Sequence, residues 1–283
     1  MRTEAESLFG KRSLVQLAST TGLVLPAGSA FSHLTAARLL GLPVPGRWAP
    51  PEPQDVMTFT AAPKIRRAGC EGHRGLGSRH VIQRNGLRVV SPQDTWCDLA
   101  AMAAGSLNLD LDDLIVLGDA VVHHRRGISP SRLAETVSWR RGGRGRRLMV
   151  EALPHLRPRS NSPMETRARL LFLRGGLPEP ELNVVINDQH SGQWLSDSDF
   201  VWRPQKVVAE FDGDHHRLLR PHGRGVGLGG WGVGVRGWGW AVWRVSVGWS
   251  RLLRLLALPG RPLGRRRRLR RLWGRPPGPG GRR

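Results

Sequence analysis

The stretch Val207-Val208-Ala209-Glu210-Phe211-Asp212, followed at once by Gly213-Asp214-His215-His216, decides how this chain is read. Successive side chains of a strand point to opposite faces, so Glu210 and Asp212, at i and i+2, share one face. Acidic residues are depleted in strands, and an apolar strand that ends on Glu-x-Asp needs an offset, most simply a cation or a turn. A metal ion is the functional reading. Asp212-Gly213 is also a common turn dipeptide, and His215 and His216 could simply be exposed.

The flanking sequence supplies partners for that strand. Ser162-Pro163-Met164-Glu165 opens a helix with Ser at the N-cap, Pro at the first position and Glu three residues after the cap. Apolar Ala168, Leu170, Leu171 and Leu173 continue it, and Gly175-Gly176 stops it. Leu182 to Ile186 then reads as a strand, Asp188 to Gly192 as a turn, Trp194 to Trp202 as a second strand and Arg203-Pro204-Gln205 as a tight turn into the acidic strand. The order is helix, strand, strand, strand. Asp197 and Asp199 repeat the i, i+2 spacing on the middle strand, which the tight turn makes an antiparallel neighbour of the acidic one. Carboxylates converging there would suit Mg²⁺ or Mn²⁺, oxygen-loving ions, better than Zn²⁺.

With a helix Glu, a strand Asp, Glu-x-Asp-Gly and a His three residues after that Gly, residues 158–217 resemble the endonuclease-like domain related to very-short-patch-repair nucleases, a branch of the PD-(D/E)XK superfamily. The resemblance implies an α/β (α+β) fold whose core is one helix and a three-stranded, mostly antiparallel sheet. By position it implies that Glu165 is the helix acid, Asp199 the strand Asp, Glu210 and Asp212 the acidic pair and His216 the downstream His. Asp199, Glu210 and Asp212 would be the ligands of Mg²⁺ or Mn²⁺. The position of the superfamily's Lys is Asp212, so the usual water-orienting base is missing. Glu165 is also accounted for by the capping box alone.

The 283 residues carry a formal charge of +22 and are 39% hydrophobic, enough for two modest domains and a polyanion partner. The charge is uneven. From Leu218 to Arg283 there are 16 Arg, 16 Gly and 6 of the 11 Trp, with no Asp, Glu or Lys, which leaves residues 1–217 with a net charge of +6. The abrupt change of composition in 218–283 is what a shifted reading frame in a G- and C-rich gene would produce; an Arg- and Gly-rich nucleic-acid-binding tail is the alternative. Irregular structure is expected for most of it. The resembled family continues with a charged helix and a closing strand, and Gly239 to Val245 resembles that strand, which is expected near Val242 to Val247 and would extend the module to about residue 247. A helix is expected within Ser250 to Leu258.

Residues 31–157 form an upstream unit, after a short segment 1–30. Ser32 to Pro45 reads as a short helix with a Gly stop, Pro50 to Pro53 as a linker, Val56 to Thr60 and Leu87 to Val90 as strands, and Ser91-Pro92-Gln93-Asp94 as the start of a helix. Leu111 to His123 forms another helix. This arrangement looks like the C-terminal part of AbiEi-type antitoxin and regulator proteins, although 1–30 is too short for the winged helix that precedes it in that family. Trp139 to Arg147 is a basic loop between the two units whose Arg140, Arg141, Arg144, Arg146 and Arg147 could grip DNA phosphates; a solvated linker is the plainer reading. His123 and His124 suit a helix C-terminus. Cys70 and Cys97 have no paired spacing, so neither zinc nor a disulfide framework is indicated, which fits a reducing cytoplasm. No 18-residue apolar run appears. Polar residues in Leu14 to Ala30 argue against a signal peptide.

The function expected is a metal-dependent DNA endonuclease. The competing class is a non-catalytic DNA-binding or antitoxin-like regulator that keeps a degenerate nuclease fold.

Overall fold

The structure is a computed structural model that describes residues 14–46, 48–49, 51–103, 105, 107–140, 143–188, 191–205 and 207–211, with the backbone of 232–236 and 240–245. It is a mixed α/β protein in two units, 1–166 and 167–283. Among the described residues no helix is long and apolar enough to cross a membrane.

In the first unit a helix over 14–22 (α1) precedes β1 (Ala30–Phe31), α2 (His33–Leu39), β2 (Gln54–Thr58), β3 (Cys70–Arg74), β4 (Val81–Arg84) and β5 (Leu87–Val90). The five strands form one sheet in the order β3-β2-β1-β5-β4, with β1 antiparallel to β2 and parallel to β5, and β2 parallel to β3. Asn85 and Gly86, at φ 52° and 74°, close the β4–β5 hairpin, since a two-residue turn that matches strand twist needs positive φ at both positions. Helices α3 (Pro92–Met102), α4 (Leu111–Val122), α5 (Pro130–Trp139) and α6 (Arg146–Ala152) follow. Their starts are explained by short-range chemistry. Ser91 Oγ accepts from the Asp94 N–H, Asp110 and Asp113 form a reciprocal capping box, and Ser129 Oγ accepts from the Arg132 N–H, with Pro at the first position of α3 and α5. Fully buried Trp96 of α3 donates its indole N–H to the Leu114 carbonyl of α4 at 2.9 Å.

Helix α7 (Pro163–Arg174) runs through the division between the units. The second unit continues with β6 (Glu181–Asn187), β7 (Trp194–Trp202) and β8 (Val207–Phe211) as the antiparallel trio expected from the sequence. β10 (Trp240–Val245) lies parallel to β8, and β9 (Gly232–Arg236) is antiparallel to β10, giving the order β6-β7-β8-β10-β9. The closing strand thus starts two residues earlier than expected, and β9 falls where irregular backbone was expected. Its alternation of Gly with Val still supplies the backbone N–H and C=O groups that an edge ladder needs. The helix expected in 250–258 lies outside the described residues.

One face of β7 and β8 carries Phe200, Trp202 and Ala209 against Ala168 and Phe172 of α7 and Leu182 of β6. Phe172 meets Phe200 edge-on at 5.2 Å and Trp202 at 5.4 Å, and the Trp202 indole donates to the Pro178 carbonyl at 2.7 Å. Val201 and Val208 turn the other way and pack with Ile186.

Candidate functional site

Two places in the molecule gather chemistry-bearing side chains. The first is the end of the β7–β8 ladder. The paired residues are Trp202↔Val207, Val201↔Val208 and Phe200↔Ala209. The pairing ends there, and by strand alternation Asp199 and Glu210, the next residue of each strand, belong to the face shared by Val201 and Val208. Both acids are half-buried. The Phe211 backbone N–H donates to Asp199 Oδ2 at 2.7 Å, so the Asp199 carboxylate is held over the end of β8. On the other flank of β7 the ladder pairs Leu182 with Phe200 and Val184 with Ser198. Asn183, between them, has φ 48°, while the register runs unbroken past it and shifts only between Ile186 and Asn187.

The remaining sequence-derived positions fall as follows. Asp197 is exposed and accepts from the Trp194 indole at 3.2 Å. Glu165 belongs to the first unit: its Oε2 accepts from the Asn161 N–H at 2.9 Å, while its own N–H donates to Ser162 Oγ at 3.1 Å. The Ser162 side-chain bond of the expected capping box is present, and the Glu165 carboxylate takes the N–H one residue before Ser162. Asp212, His215 and His216 lie outside the described residues, as does Arg141.

The basic loop needs a correction. It lies inside the first unit, joining α5 to α6, and Arg140 does not share in an exposed basic surface. Its Nη1 donates to Asp98 Oδ1 at 2.8 Å, and its Nη2 donates to the Asp94 carbonyl at 2.7 Å and to Asp94 Oδ1 at 3.2 Å, with the side chain only 12% exposed. Two buried carboxylates on α3 outcompete solvent for that guanidinium, because an unpaired buried charge costs more than an exposed one. Arg144, Arg146 and Arg147 are exposed.

Sequence reasoning missed the second place, in the first unit. His33, Asp55 and His73 bring one ligand atom each to within 4.8 Å of one another, the group among the described residues able to hold a metal ion. Neighbouring strands deliver them: His33 follows β1, Asp55 is on β2 and His73 on β3. His73 Nε2 and Asp55 Oδ1 are 2.8 Å apart. Asp55 Oδ2 accepts from the Thr35 N–H at 3.3 Å, and the Asp55 N–H donates to Thr35 Oγ1 at 2.8 Å. The His33 and His73 rings lie with centroids 3.8 Å apart and planes tilted by 31°, and His33 Nδ1 lies 3.0 Å from Ser32 Oγ. Burial pulls the His33 imidazole down to about 4; Asp98 opposes that shift and His73 adds to it. His33 also sits at φ 46°, a left-handed conformation that costs a non-glycine residue about 1–3 kcal/mol. Three residues 18 to 40 positions apart give no local motif, so no spacing in the sequence could have joined them.

Against known proteins the likeness is narrow. The chain is 35% identical over 82 residues to two curated Mycobacterium tuberculosis proteins, uncharacterized protein MT2308 of strain CDC 1551 / Oshkosh and uncharacterized protein Rv2248 of strain ATCC 25618 / H37Rv. The match covers 29% of this chain and 30% of each relative. No family model and no solved structure matches the chain.

Proposed function

We propose that the protein is a metal-dependent DNA endonuclease of the PD-(D/E)XK kind, hydrolysing phosphodiester bonds at the end of the β7–β8 ladder. The observation that carries this reading is that Asp199 and Glu210 follow the last pair of the β7–β8 ladder on one face of two adjacent strands. Two carboxylates brought side by side offer oxygen donors to a single cation. An all-oxygen donor set fits Mg²⁺ or Mn²⁺. When bound, such an ion polarises the scissile phosphate and lowers the pKa of a water.

Asp199 and Glu210 would hold the ion. The Phe211 N–H keeps the Asp199 carboxylate from rotating away. Asp212 would complete the ligand set and His216 would move a proton. The order helix, three antiparallel strands, and a further strand parallel to the third supports the same reading. DNA is the expected partner, and the AbiEi-like regulator region would serve to bring it to the site.

Plasmid nicking with Mg²⁺ tests the proposal. Wild-type protein should nick, and Glu210→Ala should lower the rate about 100-fold, as loss of a metal-holding group does. Equal rates for the two would leave the non-catalytic regulator as the reading.

A further inference from the structure

We infer that His33, Asp55 and His73 form a second metal site, in the first unit, for a divalent transition ion of the Zn²⁺ class. The donor set argues for the ion: two imidazoles and one carboxylate suit Zn²⁺ and Fe²⁺, whereas Mg²⁺ prefers oxygen alone. The group is nearly assembled. Ligand atoms around one tetrahedral Zn²⁺ sit about 3.3 Å apart, given bonds of 2.0–2.1 Å. Atoms already within 4.8 Å of one another therefore need to close by about 1.5 Å at most. The proton between His73 Nε2 and Asp55 Oδ1 holds the place that the ion would take.

The outer partners are those a metal site uses. His33 Nδ1 lies 3.0 Å from Ser32 Oγ, so with the proton on Nδ1 the hydroxyl accepts it and Nε2 keeps its lone pair for a metal. Thr35 holds the Asp55 carboxylate through its N–H and the Asp55 backbone through its hydroxyl. Asp98 acts on His33 electrostatically, and its buried Oδ2 has no hydrogen-bond partner among the described residues. A plain buried His–Asp pair explains His73 and Asp55. It does not explain why a second imidazole lies against His73 from a left-handed backbone position.

The site is independent of the acidic one and is tested separately. The full chain is dialysed against Zn²⁺ with excess Mg²⁺, and bound zinc is measured. Wild type should retain one equivalent that His73→Gln and Asp55→Asn lose, and Glu210→Ala should keep it. Should those variants fail to fold, the wild type loaded with Co²⁺ decides: paramagnetically shifted proton resonances from two imidazoles are expected in its NMR spectrum. Zinc retention equal in wild type and His73→Gln, displacement of zinc by Mg²⁺, or a Co²⁺ spectrum without shifted imidazole signals would overturn the inference.

Discussion

At the scale of single residues the first unit is organised around Asp98. Burial alone would push its carboxyl up; the Arg140 charge and the Arg79 hydrogen bond outweigh burial and hold it below the ordinary range. Arg79 and Arg140 both donate to Oδ1 at 2.8 Å. Removing Arg140 strips a partner from two carboxylates whose side chains are 3% exposed. Arg140→Ala should therefore lower unfolding free energy by about 3 kcal/mol in urea titrations, while Arg144→Ala should stay within about 0.5 kcal/mol. The pH dependence carries its own sign. A carboxyl depressed in the folded state contributes stability above its unfolded value, near 3.9, and loses it as pH falls through the lower folded value. Wild type should thus lose this increment on acidification. Arg140→Ala should show a smaller acid-induced loss from that group, because the increment is already gone.

At the scale of elements, backbone geometry makes one glycine indispensable. Gly145, at φ 72°, precedes α6, and a Cβ there would meet the Ala100 carbonyl oxygen at 2.3 Å and its carbon at 2.5 Å. Both neighbours are backbone and cannot swing away. Gly145→Ala should cost well over 1 kcal/mol, whereas Gly127→Ala, at φ 67° with open space around it, should cost about 1 kcal/mol, both read from thermal unfolding. The legibility of the elements follows the same physics. Helices α3, α4 and α7 were readable because Ser91, Asp110 and Ser162 announce them by local hydrogen bonding, and β7 because its flanking turns are explicit. α5 carries an equal signal in Ser129-Pro130, and the β4–β5 hairpin carries one in Asn85-Gly86. β1 and β3 have no such signal: β1 has two residues, and Cys70-Glu71-Gly72-His73-Arg74 is mostly polar. Those two strands exist because β2 lies between them, and they deliver His33 and His73. The candidate site that the sequence hid is thus the one built from tertiary pairing, and Asp199 and Glu210 were legible because a three-residue turn fixes which strands meet.

At the scale of the whole molecule the question is what the charge of +22 does. Net charge speaks to steering and to phosphate binding, and not to fold. Part of the basic count is already committed internally: Arg79 and Arg140 neutralise Asp94 and Asp98, Arg38 pairs with Glu52, and fully buried Arg169 donates to Glu179 at 3.3 Å. These guanidiniums contribute little to an external field. Arg144, Arg146 and Arg147 remain at the surface, though Arg146 also donates to the Val137 carbonyl at 3.1 Å. Each phosphate contact releases condensed counterions and adds about 0.9 to the slope of log K against log salt. Replacing all three with Ala should therefore flatten that slope by about 2–3 on duplex DNA, with affinity falling most at low salt. Arg140→Ala should leave the slope unchanged at temperatures where the variant stays folded, because its charge is spent inside. A triple variant with the wild-type slope would leave this loop as a solvated linker.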